Sequence, residues 1–182
     1  MLAQIVEDHA AELHWLAYLV TGSHDRSVRA FTKVLDSEDY ANRATSDFML
    51  SWTRKLVMAA ALNTIRPQLR ESALRTARSE DPDPATLIAL KPAGQMTTPE
   101  IERALLAIDL FPRCALLLTV FEKLSLDDAA LLLNADKALV RKAQGRGLLE
   151  LAGAVAGGGG LGRARMAANA FHLRLRYVEM LT

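Results

Sequence analysis

The chain has 182 residues, of which 51% are hydrophobic and 24% are charged. This composition supports a buried core and excludes a disordered chain, and the abundance of alanine and leucine favours helix. The formal net charge of +1 excludes a uniformly basic protein, so a surface for nucleic acid would require local clustering of cations.

Apolar residues recur at helical spacing through the first third of the chain. They predict a first helix that ends at Gly22 and a second over Val28 to Leu35. A third is expected to begin at Ser46 and to end or kink near Pro67. Residues 1–72 are therefore predicted to form a helical bundle.

A proline-punctuated stretch with charges of both signs follows, and it predicts a linker over residues 73–97 with a short helix near Ala85 to Leu90. Thr98 then provides a capping residue before Pro99, which suits the first position of a helix. Pro112 is expected to open the next helix. Cys114, two residues after Pro112, lies in an aliphatic run and is predicted to be a buried, unreactive thiol.

The most informative stretch runs from Leu124 to Leu151, where the pattern predicts two helices joined by a tight turn. Ser125 is expected to cap the first helix, with Asp128 completing an acidic variant of the capping box. Asn134 lies where the turn requires a left-handed residue, and Asp136 can cap the second helix. The arrangement is typical of a helix-turn-helix.

The second helix of this pair has an apolar face and a polar, mostly basic face. Its predicted inner face is formed by Leu139, Val140, Ala143 and Gly147. The predicted DNA-binding residues on the other side are Lys137, Arg141, Lys142, Gln144 and Arg146. A helix in the major groove would present such side chains to phosphates and base edges, whereas an ordinary helical hairpin would leave them in solvent.

The run from Leu106 to Ser125 leads directly into this motif, and together the two resemble region four of the extracytoplasmic-function (ECF) sigma factors of bacterial RNA polymerase. The matching positions are Phe111, Pro112 and Arg113, then Leu124 and Ser125, then Val140 and Arg141, with Arg146 before Gly147 where the family has an Arg-Ala pair. The resemblance implies that residues 98–156 form a helix-turn-helix domain that binds promoter DNA.

The N-terminal third resembles region two of the same family, through Leu16 to Gly22 and the Trp-containing segment Phe48 to Arg66. That family carries an Asp-Leu-Val-Gln segment that grips the polymerase clamp, and the register falls here on residues 29–32. The candidate contacts to the RNA polymerase core are Arg29, Phe31 and Thr32. A base replaces the acid and a hydroxyl replaces the amide.

Residues 157–182 begin with a glycine run and continue as an amphipathic segment. A phosphate-binding loop would require Lys followed by Ser or Thr at its end, so the glycines are predicted to form a hinge. The segment after them predicts a C-terminal helix. This helix is expected to cover the core or to bind a partner.

No enzyme, metal site or cofactor is predicted, because no histidine spacing suits a metal and no nucleophile motif is present. Neither a signal peptide nor an apolar run of the ~18 residues of a membrane span occurs. The single cysteine suits a reducing compartment. These features predict a soluble cytoplasmic protein that makes no contact with a membrane.

The predicted fold class is all-α, with two small helical bundles joined by a proline-rich linker and a C-terminal helix. Two functions stay open. The first is a sigma-like transcription regulator that binds promoter DNA and RNA polymerase, and the basic second helix favours it. The alternative is a sigma-derived interaction module that binds a regulatory protein such as an anti-sigma factor. Gly145 and Gly147 favour the alternative, since each glycine costs a helix about 1 kcal/mol.

Overall fold

A computed structural model describes residues 7–35, 46–81 and 97–156 of the chain. The regular elements in these three ranges are all helices, and no residue within them lies in a β-strand, so the all-α prediction is confirmed for this part of the chain. The predicted helix near residues 85–90, the glycine hinge and the C-terminal helix lie outside the described residues. The chain divides into two compact units, Met1–Gln68 and Leu69–Thr182.

The first unit contains three helices, α1 (Ala10–Thr21), α2 (His24–Leu35) and α3 (Ser46–Thr64), and each packs against the other two. Gly22 ends α1 in the left-handed conformation (φ 65°, ψ 15°), as its sequence position predicts, and its N–H donates to the carbonyl oxygen of Tyr18. The apolar core of this unit contains Leu13, Leu16, Ala17, Leu19, Val20, Ala30, Val34, Val57, Met58, Ala61, Leu62 and Ile65.

Helix α4 (Arg66–Arg78) begins directly after α3, with Pro67 in its first turn, which confirms the predicted break near Arg66. The helix then continues through residues 73–78, where the sequence analysis placed the start of a linker. Its buried positions are Leu69, Ser72 and Thr76, at helical spacing. Because no proline or glycine lies between Pro67 and Pro82, nothing in the sequence interrupts this periodicity.

The second unit contains, besides residues 69–78 of α4, the helices α5 (Thr98–Ala107), α6 (Leu110–Leu116), α7 (Leu126–Leu133) and α8 (Lys137–Ala156). A π-helical turn, Leu117–Phe121, continues α6, and α8 packs against α5, α6 and α7. The cap of α5 is Thr97, one residue before the predicted position, and its N–H donates to Glu100 Oε2 over 2.8 Å. Cys114 is fully buried, as predicted.

A small polar cluster joins α1 to α2 within the first unit. His14 Nε2 lies 3.0 Å from Ser27 Oγ, and the His14 and His24 rings meet edge to face with centroids 5.0 Å apart. Because the Ser27 hydroxyl donates its proton to the His24 carbonyl oxygen over 2.7 Å, it accepts a hydrogen bond from His14. Burial and then the charge of His24 lower the pKa of His14.

The lowered pKa of His14 predicts that the first unit loses stability in mild acid. The unfolded chain binds the His14 proton at a higher pH than the folded unit, so this stability is complete above pH ~6.5 and falls below it. His14→Gln keeps an N–H donor for Ser27 but cannot titrate. We expect urea unfolding midpoints to fall less for this variant than for the unmodified chain between about pH 7.5 and about pH 5. An equal fall in both proteins would contradict this.

Candidate nucleic-acid interface

The connection from α7 to α8 is a tight turn over residues 134–136, and the capping contacts on both sides match the sequence prediction. Ser125 Oγ accepts a hydrogen bond from the Asp128 N–H over 3.0 Å at the start of α7. Asn134 adopts the left-handed conformation (φ 52°, ψ 52°). Asp136 Oδ1 accepts from the Leu139 N–H over 2.7 Å, so the start of α8 is capped.

The inner face of α8 crosses α6 at very short range. A Cβ atom added at Gly147 would lie 2.8 Å from the Pro112 carbonyl oxygen and 3.3 Å from Leu116 Cβ. Ala143 and Val140, one and two turns before Gly147, are fully buried, whereas Leu139 is only half-buried. The sequence predicts Gly147 on the inner face of this helix, at a cost of about 1 kcal/mol in helix propensity. In the structure it is the residue that permits this close crossing.

The crossing predicts opposite effects for two glycine substitutions in the same helix. Gly147→Ala places a methyl group against backbone and should lower the free energy of unfolding by about 1–3 kcal/mol. Gly153 is exposed and has no neighbouring atom within 4 Å of an added Cβ, so Gly153→Ala should raise it by up to about 1 kcal/mol. Denaturant unfolding measures both. A stabilising Gly147→Ala would contradict the crossing.

Two of the predicted DNA-binding cations, Lys137 and Arg141, lie exposed in the first half of α8. Lys137 Nζ lies 2.9 Å from Asp127 Oδ2 on α7, and both side chains are largely open to solvent. No acidic side chain within the described ranges forms an ion pair with Arg141. Ala138, which is also exposed, adds little bulk between them. This part of α8 therefore presents one cation that has no acidic partner in these ranges, Arg141, and one, Lys137, whose exposed ion pair is weakened by solvent.

The structure gives the other predicted residues different surroundings. Arg146 Nε donates to Glu150 Oε1 over 2.8 Å, one turn along the same helix. The second oxygen of Glu150 accepts from the Asp109 N–H over 3.2 Å, so this ion pair is directed toward the start of α6. Gln144 is half-buried. The five predicted residues therefore do not share one free surface.

Lys142 is bound to the end of α4. Its ammonium group donates to the carbonyl oxygens of Ala77, over 3.3 Å, and of Ser79, and it lies 2.9 Å from Asp81 Oδ1. Only 18% of the side chain is exposed. A lysine at a helix C-terminus satisfies carbonyls that have no partner within the helix. This role is not predictable from the sequence, because the two carbonyl acceptors lie 65 and 63 residues away along the chain.

The second half of α4 is held against the start of α6 by a buried hydroxyl. Ser72 Oγ accepts from the Phe111 N–H over 2.7 Å and donates to Asp109 Oδ2 over 2.8 Å. Arg75 Nη2 donates to Asp109 Oδ1 over 2.8 Å. Burial alone would raise the pKa of Asp109, but the hydrogen bonds from Arg75, Ser72 and the backbone lower it. The carboxylate is therefore ionised when it anchors α4.

The polymerase-contact candidates lie on α2 in the first unit. Arg29 and Thr32 are exposed and Phe31 is half-buried. The Thr32 hydroxyl donates to the Val28 carbonyl oxygen over 3.0 Å, on its own helix. Val28 and Leu35 on the same helix are 43% and 41% exposed. The accessible part of α2 is thus mixed, with the cations Arg29 and Lys33 beside two apolar side chains.

A scan against protein-family models and searches of curated proteins and solved structures find no match for this chain. Within the described residues, no helix is both long enough and apolar enough to cross a membrane. The same residues contain no group of three or more His, Cys, Asp or Glu side chains placed to hold a metal ion.

Proposed function

We propose that this protein is a sigma-like transcription regulator that binds promoter DNA through the α7–α8 helix-turn-helix. The observation that carries the proposal is the division of α8 into two faces. Val140, Ala143 and Gly147 face the core, while Lys137 and Arg141 are exposed in the first half of the helix. Recognition helices of this motif contact base edges through their N-terminal residues.

The exposed cations suit the two kinds of contact that such a helix makes with DNA. A guanidinium can bind guanine through two parallel hydrogen bonds, and Arg141 has no acidic partner within the described ranges that would compete. Lys137 has one, Asp127, but exposed ion pairs contribute little stability, so a phosphate can replace that carboxylate.

The alternative function is an interaction module that binds a regulatory protein such as an anti-sigma factor. The exposed apolar residues Val28 and Leu35 on α2 favour it, since such side chains are often covered by a partner.

We expect α2 to bind the RNA polymerase core weakly. Arg29 occupies the position where the sigma family has an acidic residue that contacts the polymerase clamp. Its positive charge would therefore face the like charge that this acid normally pairs with. Restoring the acid with Arg29→Asp should strengthen co-purification of core polymerase.

DNA binding by α8 predicts a strong effect of one arginine. Arg141→Ala should weaken binding to duplex DNA about tenfold or more and make the affinity less dependent on salt, since fewer counterions are released. The matched control is Arg103→Ala, which removes the same charge from an exposed position on α5. Fluorescence anisotropy with a labelled duplex across a salt series measures both. Equal effects of the two substitutions, or no binding by the unmodified chain at low salt, would contradict the proposal.

A further inference from the structure

Lys142 follows Arg141 directly in α8, so it lies next to the proposed DNA-binding face, yet its charge is already engaged. An ammonium group has three N–H donors. The acceptors here are the Ala77 and Ser79 carbonyl oxygens and one Asp81 carboxylate oxygen, and they account for all three donors.

The three acceptors differ in how readily they could be replaced. The two carbonyls belong to the end of α4, which is fixed to the start of α6 through Ser72. Asp81 lies beyond the last residue of α4, and 82% of its side chain is exposed. An exposed carboxylate forms a weak, salt-sensitive pair. Another anion that approached from solvent would therefore displace Asp81 first.

We propose that Asp81 is an internal competitor of the DNA backbone for Lys142. In the free protein the carboxylate occupies the position of a phosphate on this lysine, and a bound duplex takes its place. The inference rests on the proposed function of α8, because only a duplex on that helix brings a phosphate to Lys142. It assigns Asp81 a regulatory role, since the residue lowers the affinity of the whole surface for DNA.

Two physical effects act in the same direction. Lys142 must leave the Asp81 carboxylate before it can contact a phosphate, so the free energy of this ion pair is subtracted from DNA binding, and the loss is largest at low salt, where the pair is least screened. Glu80 and Asp81 also place negative charge beside the path of the duplex, and like charges repel. The first effect requires Lys142 and the second does not, so the two can be separated by a double substitution.

The test measures binding of a labelled DNA duplex by anisotropy at several salt concentrations. Asp81→Asn should tighten binding several-fold, with the largest gain at low salt, because Lys142 then meets a phosphate without first leaving a carboxylate. Glu71→Gln is the matched control, since it removes one acid from a position on α4 that is 75% exposed. That control should have a much smaller effect.

The double variant Asp81→Asn with Lys142→Ala separates a specific release of Lys142 from a general change of charge. Compared with Lys142→Ala alone, the double variant should gain no more affinity for DNA than Glu71→Gln gains compared with the unmodified chain. Lys142→Gln retains N–H donors for the two carbonyls and replaces the alanine variant if thermal unfolding shows that alanine destabilises the fold.

The outcomes distinguish this inference from the proposed function. A gain with Asp81→Asn that disappears without Lys142 supports it. A chain that binds DNA through Arg141 but gains nothing from Asp81→Asn, or gains as much in the absence of Lys142, would overturn the inference alone. Absence of DNA binding by every variant would overturn the proposed function and the inference with it.

Discussion

The close crossing of α8 over α6 at Gly147 determines which side chains of α8 can reach solvent. The Pro112 carbonyl oxygen would lie 2.8 Å from a Cβ at this position, so the helices approach until backbone meets backbone. Val140 and Ala143 lie on the same inner side and are fully buried. Because side chains follow one another at 100° around a helix, this contact directs Lys137 and Arg141 outward.

The structure divides the cations of α8 into accessible and engaged groups, and this division is the basis of the functional proposal. A count of charges would give Lys137, Arg141, Lys142 and Arg146 equal weight. Instead, Arg146 pairs with Glu150, and Lys142 binds the carbonyls that end α4. The remaining cations are few, which suits a protein of net charge +1 whose attraction for DNA must be local. A neighbouring acid that holds Lys142 adds a means of adjusting that attraction.

Local features of the fold could be predicted from the sequence, whereas contacts between distant segments could not. The caps at Ser125 and Asp136 and the left-handed Asn134 depend on residues a few positions apart, so short patterns specify them. The continuation of α4 through residues 73–78 was missed because proline-rich sequence beyond it suggested a linker. The contact that fixes this helix to α6 is tertiary: Ser72 accepts a hydrogen bond from the Phe111 N–H, and no local pattern reveals it. The engagement of Lys142 was missed for the same reason, whereas the inner-face position of Gly147 was predicted and only the closeness of its contact with Pro112 was not.

The central claim, that the outward face of α8 binds DNA, is tested most directly by an NMR titration of the isotope-labelled full chain with a short duplex. The account predicts that the largest signal changes at low salt occur at Lys137, Ala138 and Arg141. Signals from the polymerase-contact candidates on α2 should change little, and added salt should reverse the effect because the contacts release counterions. Changes confined to α2, with the first half of α8 unaffected at saturating DNA, would contradict the account.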